Sequence, residues 1–88
     1  MLIVRVKPAD PVYPVEARRA QQQGKVLIKV QFGTTGIPEL IIVDQSSGYS
    51  TLDSAAIDSV KAMRIEPYII DGKPSPIMVQ VPVRFILK

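Results

Sequence analysis

The sequence predicts a two-layer α+β sandwich, with a three-stranded antiparallel sheet packed by one face against two helices. Three observations carry that expectation. Val26, Ile28, Val30 and Phe32 alternate with Lys25, Leu27, Lys29 and Gln31, and a period of two returns at Val79, Val81, Val83, Phe85 and Leu87. Between them Leu52, Ala56, Val60 and Met63 recur at four, four and three residues, the spacing of one helical stripe. Glycine-rich turns punctuate these segments, "GTTG" at 33–36 and "DGKP" at 71–74.

Taken in order, Leu2, Val4 and Val6 alternate with Ile3, Arg5 and Lys7, which predicts a short extra N-terminal strand. Pro8, Pro11 and Pro14 then enforce an extended linker, and Pro14 suits the first turn of a helix over 15–23. Gly24 is placed to end that helix. The strand from Lys25 turns at 33–36 into a second strand over Pro38–Gln45, a hairpin with a loop of about four residues. Leu40, Ile41, Ile42 and Val43 have no polar break, so Leu40, Ile42 and Leu27 form an apolar surplus beyond the core face.

Ser46, Ser47 and Gly48 close that strand. Ser50 as N-cap with Asp53 three residues on predicts a capping box, its carboxylate facing the positive end of the helix dipole. Ala55 and Ala56 keep the helix thin enough to lie close to a sheet. After it, "IEPY" and "DGKPSP" read as punctuation before the last strand. That strand contains Pro82. Proline has no N–H to give to a ladder, so the strand is expected at a sheet edge with the missing donor facing outward.

Eighty-eight residues suit one domain, with 1–12 as N-terminal strand and linker and 13–88 as core. The chain has no cysteine and no histidine, which removes disulfides, thiolate metal sites and the commonest general base together. The net charge of +3 comes from scattered basic residues, Arg18–Arg19 being the one adjacent pair, so no nucleic-acid footprint is expected. No window approaches the roughly 20 apolar residues of a membrane span, and a soluble domain is expected. The carboxylates fall at turns, helix starts and polar faces. No nucleophile elbow, phosphate loop or dinucleotide fingerprint occurs, so the sequence predicts no catalytic residues, no cofactor and no metal. An open edge strand beside a surplus apolar face suits instead an extended peptide that binds by strand addition. The bland reading of that edge is one blunted by Pro82, Arg84 and Lys88.

The motifs also carry a resemblance. "YP" at 13–14, Gly24 with "KVLIKVQF", "TTG", "SSG", "LDSAAI", "IEP", "DGKP" and "VPVRF" follow one another in an order similar to the TonB C-terminal domain family, from Tyr13 to about Leu87. The resemblance implies a periplasmic domain of an energy transducer, excised from a parent with an inner-membrane anchor. It implies binding of the TonB box of TonB-dependent outer-membrane receptors by strand addition, and driving by a proton-powered ExbB–ExbD type complex for iron-siderophore or cobalamin uptake. The peptide-binding residues it implies are Asp10, Pro11, Val12, Tyr13 and Pro14 with Val79, Gln80, Val81, Pro82, Val83, Arg84 and Phe85. It further places the final strand beside the first strand of the hairpin. The chain departs from the family at Glu16, where relatives carry arginine, and Leu2–Val6 has no fixed counterpart. The alternative is a self-associating module of a TolA-like or signal-transducing envelope protein, a homodimer among its forms, in which the N-terminal strand pairs with the same edge.

If the period-two faces are assigned correctly, Phe32→Ala or Phe85→Ala lowers stability by about 3–5 kcal/mol in urea unfolding, a large share of a small domain's total. A loss under about 1 kcal/mol would mean that the ring faces solvent.

Overall fold

The computed structural model describes residues 11–87 and the backbone of 3–5. Eight elements follow in chain order: β1 (Ile3–Arg5), α1 (Val15–Arg19), β2 (Gly24–Phe32), β3 (Pro38–Gln45), α2 (Ser50–Lys61), β4 (Tyr68–Ile70), β5 (Lys73–Ser75) and β6 (Ile77–Phe85). The main sheet has the order β1-β6-β2-β3. Its antiparallel centre is the expected three strands, with β2 between β3 and β6. β1 adds a fourth, parallel to β6.

The alternation seen in the sequence sets the core. Val26, Ile28, Val30 and Phe32 of β2 and Ile77, Val79, Val81, Val83 and Phe85 of β6 all turn to one face and are buried. Leu52, Ala56, Val60 and Met63 of the α2 stripe, with Ala17 of α1, close over them in one cluster. No polar or charged residue is buried among the described residues. Hydrophobic burial therefore drives assembly, at roughly 25 cal/mol per Å² of apolar surface removed from water. β3 is the partial exception. Ile41 packs against the core, whereas Leu40 and Ile42 each remain 45% exposed. The apolar surplus on this sheet face is thus present in the fold.

The helices begin and end by other means than the expected ones. α1 stops at Arg19, well before Gly24. Gln21 takes a positive φ of 55°, and the N–H groups of Gln21 and Gln22 donate to the carbonyls of Arg18 (3.1 Å) and Ala17 (2.9 Å). This is the Schellman pattern with a glutamine in the left-handed position usually given to glycine. Gly24 instead opens β2, where an added Cβ would lie 3.0 Å from Ser47 Cβ. At α2, Ser50 is the first helical residue and Tyr49 occupies the cap position, with no side-chain cap bond. The expected capping box is therefore absent.

Asp53 holds the preceding turn instead. Its carboxylate accepts hydrogen bonds from the backbone N–H of Ser47 at 2.9 Å, the Ser47 hydroxyl at 2.7 Å and the Ser46 hydroxyl. Gly48, at φ 94°, lets the chain reverse between that turn and the helix. Burial of the carboxyl opposes ionisation, but the bonds from Ser46 and Ser47 outweigh it and hold Asp53 below its ordinary pKa.

Two further turns fix the outline. Gly36, at φ 79°, lies so close to the Ile65 carbonyl that no Cβ fits, and its own carbonyl accepts the Ile65 N–H at 3.1 Å. The segment after α2 is thereby tied to the β2–β3 turn. The stretch read from sequence as punctuation forms a separate two-stranded hairpin, β4–β5. Its tip, Asp71 and Gly72, has φ of 50° and 76°, the paired positive values of a type I′ turn.

The Asp53 clasp predicts a pH signature. A depressed folded pKa gives stability that is present above the ordinary aspartate value of about 3.9 and lost as pH falls through the folded value. Asp53→Asn is therefore expected to lower stability at neutral pH by roughly 1 kcal/mol, with the gap to wild type closing in acid. Urea titrations across pH check this, and a gap independent of pH would contradict it.

Candidate functional site

The site is built from the backbone of β6 outward. β6 runs antiparallel to β2 through nine consecutive pairs, from Gly24 opposite Phe85 to Phe32 opposite Ile77. Pro82 lies opposite Leu27 in this ladder. Because proline has no N–H, its nitrogen must sit on the side away from β2. Antiparallel pairing alternates, so Met78, Gln80 and Arg84 share that orientation and point their N–H and C=O groups outward. Val81, Val83 and Phe85 direct theirs to β2.

The expectation that the last strand is an edge strand needs a correction. β1 lies beside it, with Ile3, Val4 and Arg5 opposite Met78, Val79 and Gln80. A short N-terminal strand thus pairs with the outer side of residues 78–80 of β6. Among the described residues no strand pairs with the outer side of residues 81–85. Of the β6 residues expected at the site, Val79 and Gln80 pair with β1, and Val81, Pro82, Val83, Arg84 and Phe85 fall where no described strand pairs on the outer side. The valines and Phe85 are buried, so a partner arriving there meets backbone, half-buried Pro82 and exposed Arg84.

The second expected segment reaches the same end of the strand. Tyr13 packs edge-on against Phe85, with ring centroids 5.4 Å apart and planes at 86°. Its hydroxyl donates to the Gln22 carbonyl. The Arg18 guanidinium sits 5.3 Å from the Tyr13 ring centroid, a cation–π contact. Pro11 and Pro14 are half-buried around this stack, while Val12 is exposed. Asp10 lies outside the described residues. Pro11–Pro14 and the distal end of β6 are thus brought together through one aromatic pair.

The structure adds a residue that the sequence reading did not single out. Lys25 stands directly opposite Arg84 across the β2–β6 ladder. Only the register reveals this, since the two residues are far apart in the chain. Beside them the Gln23 side-chain carbonyl accepts the Leu87 N–H at 3.0 Å. Among the described residues no group of three or more acidic side chains is placed to hold a metal ion. The Asp53 carboxylate, held below its ordinary pKa, serves the turn before α2. No described helix is long and apolar enough to cross a membrane.

Comparison with known proteins agrees with this architecture. Residues 9–87 match the family described as Gram-negative bacterial TonB protein C-terminal. The chain is 31% identical over 79 residues to protein TonB of Vibrio cholerae serotype O1, covering 90% of this chain and 32% of that protein. It is 38% identical over 77 residues to protein tonB2 of Pseudomonas aeruginosa, covering 88% of this chain and 28% of that one. With protein TonB of Xanthomonas campestris pv. campestris the identity is 34% over 77 residues, 88% of this chain and 34% of the other. The chain thus spans about a third of the length of these curated relatives. With the family match reaching across both helices and the β2, β3 and β6 strands, the chain belongs to the TonB C-terminal domain family.

Proposed function

We propose that this domain is the peptide-binding end of a TonB-like energy transducer, and that it takes the TonB box of an outer-membrane receptor as an added strand beside residues 81–85. The observation that carries the reading is the outward-facing backbone of β6 around Pro82, beyond the stretch paired with β1. In strand addition, main-chain hydrogen bonds supply affinity and alternate side chains supply selectivity. Arg84 offers both an outward N–H and an outward C=O there, whereas Pro82 offers a carbonyl alone. The Tyr13–Phe85 stack anchors residues 11–14 at the same end, where they flank the bound peptide. Membership of the family supports a periplasmic setting. It also supports force from an ExbB–ExbD type inner-membrane complex, spent on uptake of iron-siderophore or cobalamin.

β1 favours a second reading, in which the domain is a self-pairing interaction module. Ile3–Arg5 already occupies residues 78–80 as a peptide would. A longer incoming strand must then either stop at residue 81 or displace β1.

An ¹⁵N-labelled domain titrated with a receptor TonB-box peptide tests both readings. Shifts in the amides of Val81, Val83, Arg84, Phe85 and Tyr13 are expected. Shifts confined to β3 or to the β4–β5 hairpin would rule out the β6 account. Deletion of residues 1–7 is expected to tighten binding if the peptide displaces β1, and to leave it unchanged if the peptide stops short of it.

A further inference from the structure

Lys25 and Arg84 place two positive charges side by side on neighbouring strands, directly opposite in register. Like charges at such positions repel, and the repulsion is a standing cost to the sheet. Nothing described nearby relieves it. The salt bridge formed among the described residues joins Lys29 to Asp44 at 3.6 Å, and neither Lys25 nor Arg84 has an acidic partner there. Both side chains are exposed, and with Gln23, Gly24, Phe85 and Ile86 they line an open concavity of about 450 Å³. Lys25 flanks Arg84 on one side. On the other side lies the part of the β6 edge that no described strand covers.

A strand added at that edge would run roughly 4.8 Å from β6, with the side chain opposite Arg84 about 4.5–5.5 Å away between Cβ atoms. A carboxylate there meets the Arg84 guanidinium in a geometry suited to paired hydrogen bonds, and it faces the Lys25 ammonium across the same row. The added strand lies on the far side of Arg84 from β2, roughly 9.6 Å from it, so Lys25 adds a weaker, longer-range attraction to the same carboxylate beyond that of Arg84. A neutral residue leaves the repulsion in place, and a lysine adds to it.

We propose that Arg84 and Lys25 form a carboxylate-selecting subsite, so that the added strand carries Asp or Glu opposite Arg84. The inference rests on the strand-addition reading and names the partner's chemistry at one position. The test uses the same receptor TonB-box peptide, remade with a single Asp at successive positions and with Asn at each as the neutral control. At one position Asp is expected to bind about two- to fivefold tighter than Asn. The preference should shrink in about 0.5 M salt, because both partners are solvent-exposed. It should vanish in the Lys25→Gln, Arg84→Gln double variant, while the amides of residues 81–85 still respond to peptide. An Asp preference that survives in the double variant, or none at any position while those amides respond, would overturn the subsite and leave strand addition standing. Silence of those amides with every peptide would overturn both.

Discussion

The nine-pair ladder between β2 and β6 is the constraint from which the other features follow. It is free of the register shifts that interrupt β2 against β3 between Leu27 and Ile28 and between Gln31 and Phe32. Side chains alternate strictly with a period of two, so a one-residue slip of β6 along β2 would turn every buried valine of β6 to solvent and bring Gln80 and Arg84 toward the core. The same slip would aim the Pro82 nitrogen at β2, where a donor is needed. Core burial and the proline therefore enforce one register between them. That register sets Phe85 under Tyr13 and Arg84 beside Lys25.

The two long sides of the sheet are treated differently. On β3, the register shifts leave Glu39 and Asp44 as extra residues, and a bulged, charged strand is a poor template for another chain. On β6 the ladder is regular, and only Pro82 interrupts its outward donors. One absent N–H weakens indiscriminate pairing without abolishing it, since the carbonyls and the Arg84 amide remain. The short β1 covers residues 78–80, and the aromatic stack fixes the distal end. A surface that is regular, partly covered and chemically marked suits a selective partner better than general aggregation.

Much of this was legible in the sequence because it depends on periodicity. The alternation at Val26–Phe32 and Val79–Phe85, and the stripe Leu52, Ala56, Val60 and Met63, needed only a period to be read, and the buried residues fall on it. The local signals misled where a side chain found a partner other than the usual one. Ser50 and Asp53 have capping-box spacing, yet Asp53 bonds backward to Ser46 and Ser47, a choice set by how the strand leaves the sheet. Gly24 looked like a helix stop, but Gln21 accepted the left-handed conformation and the glycine was used for a close approach to Ser47. Tyr68–Ile70 and Lys73–Ser75 were hidden by Pro74, which is tolerated because this two-stranded hairpin has open edges on both sides. At the site, Pro82 signalled an edge from sequence alone. The parallel seat of β1 and the juxtaposition of Lys25 with Arg84 were not legible, because both are products of register between distant segments.

The central claim is that the outward groups of β6 beyond residue 80 await a strand. Amide hydrogen exchange along β6, with and without a saturating TonB-box peptide, tests it most directly. The Val81 and Val83 amides, given to β2, should be protected in both states. The Arg84 amide should exchange rapidly in the free domain and become protected in the complex. An Arg84 amide as protected as that of Val83 without peptide, or one left unprotected at saturation, would contradict the account.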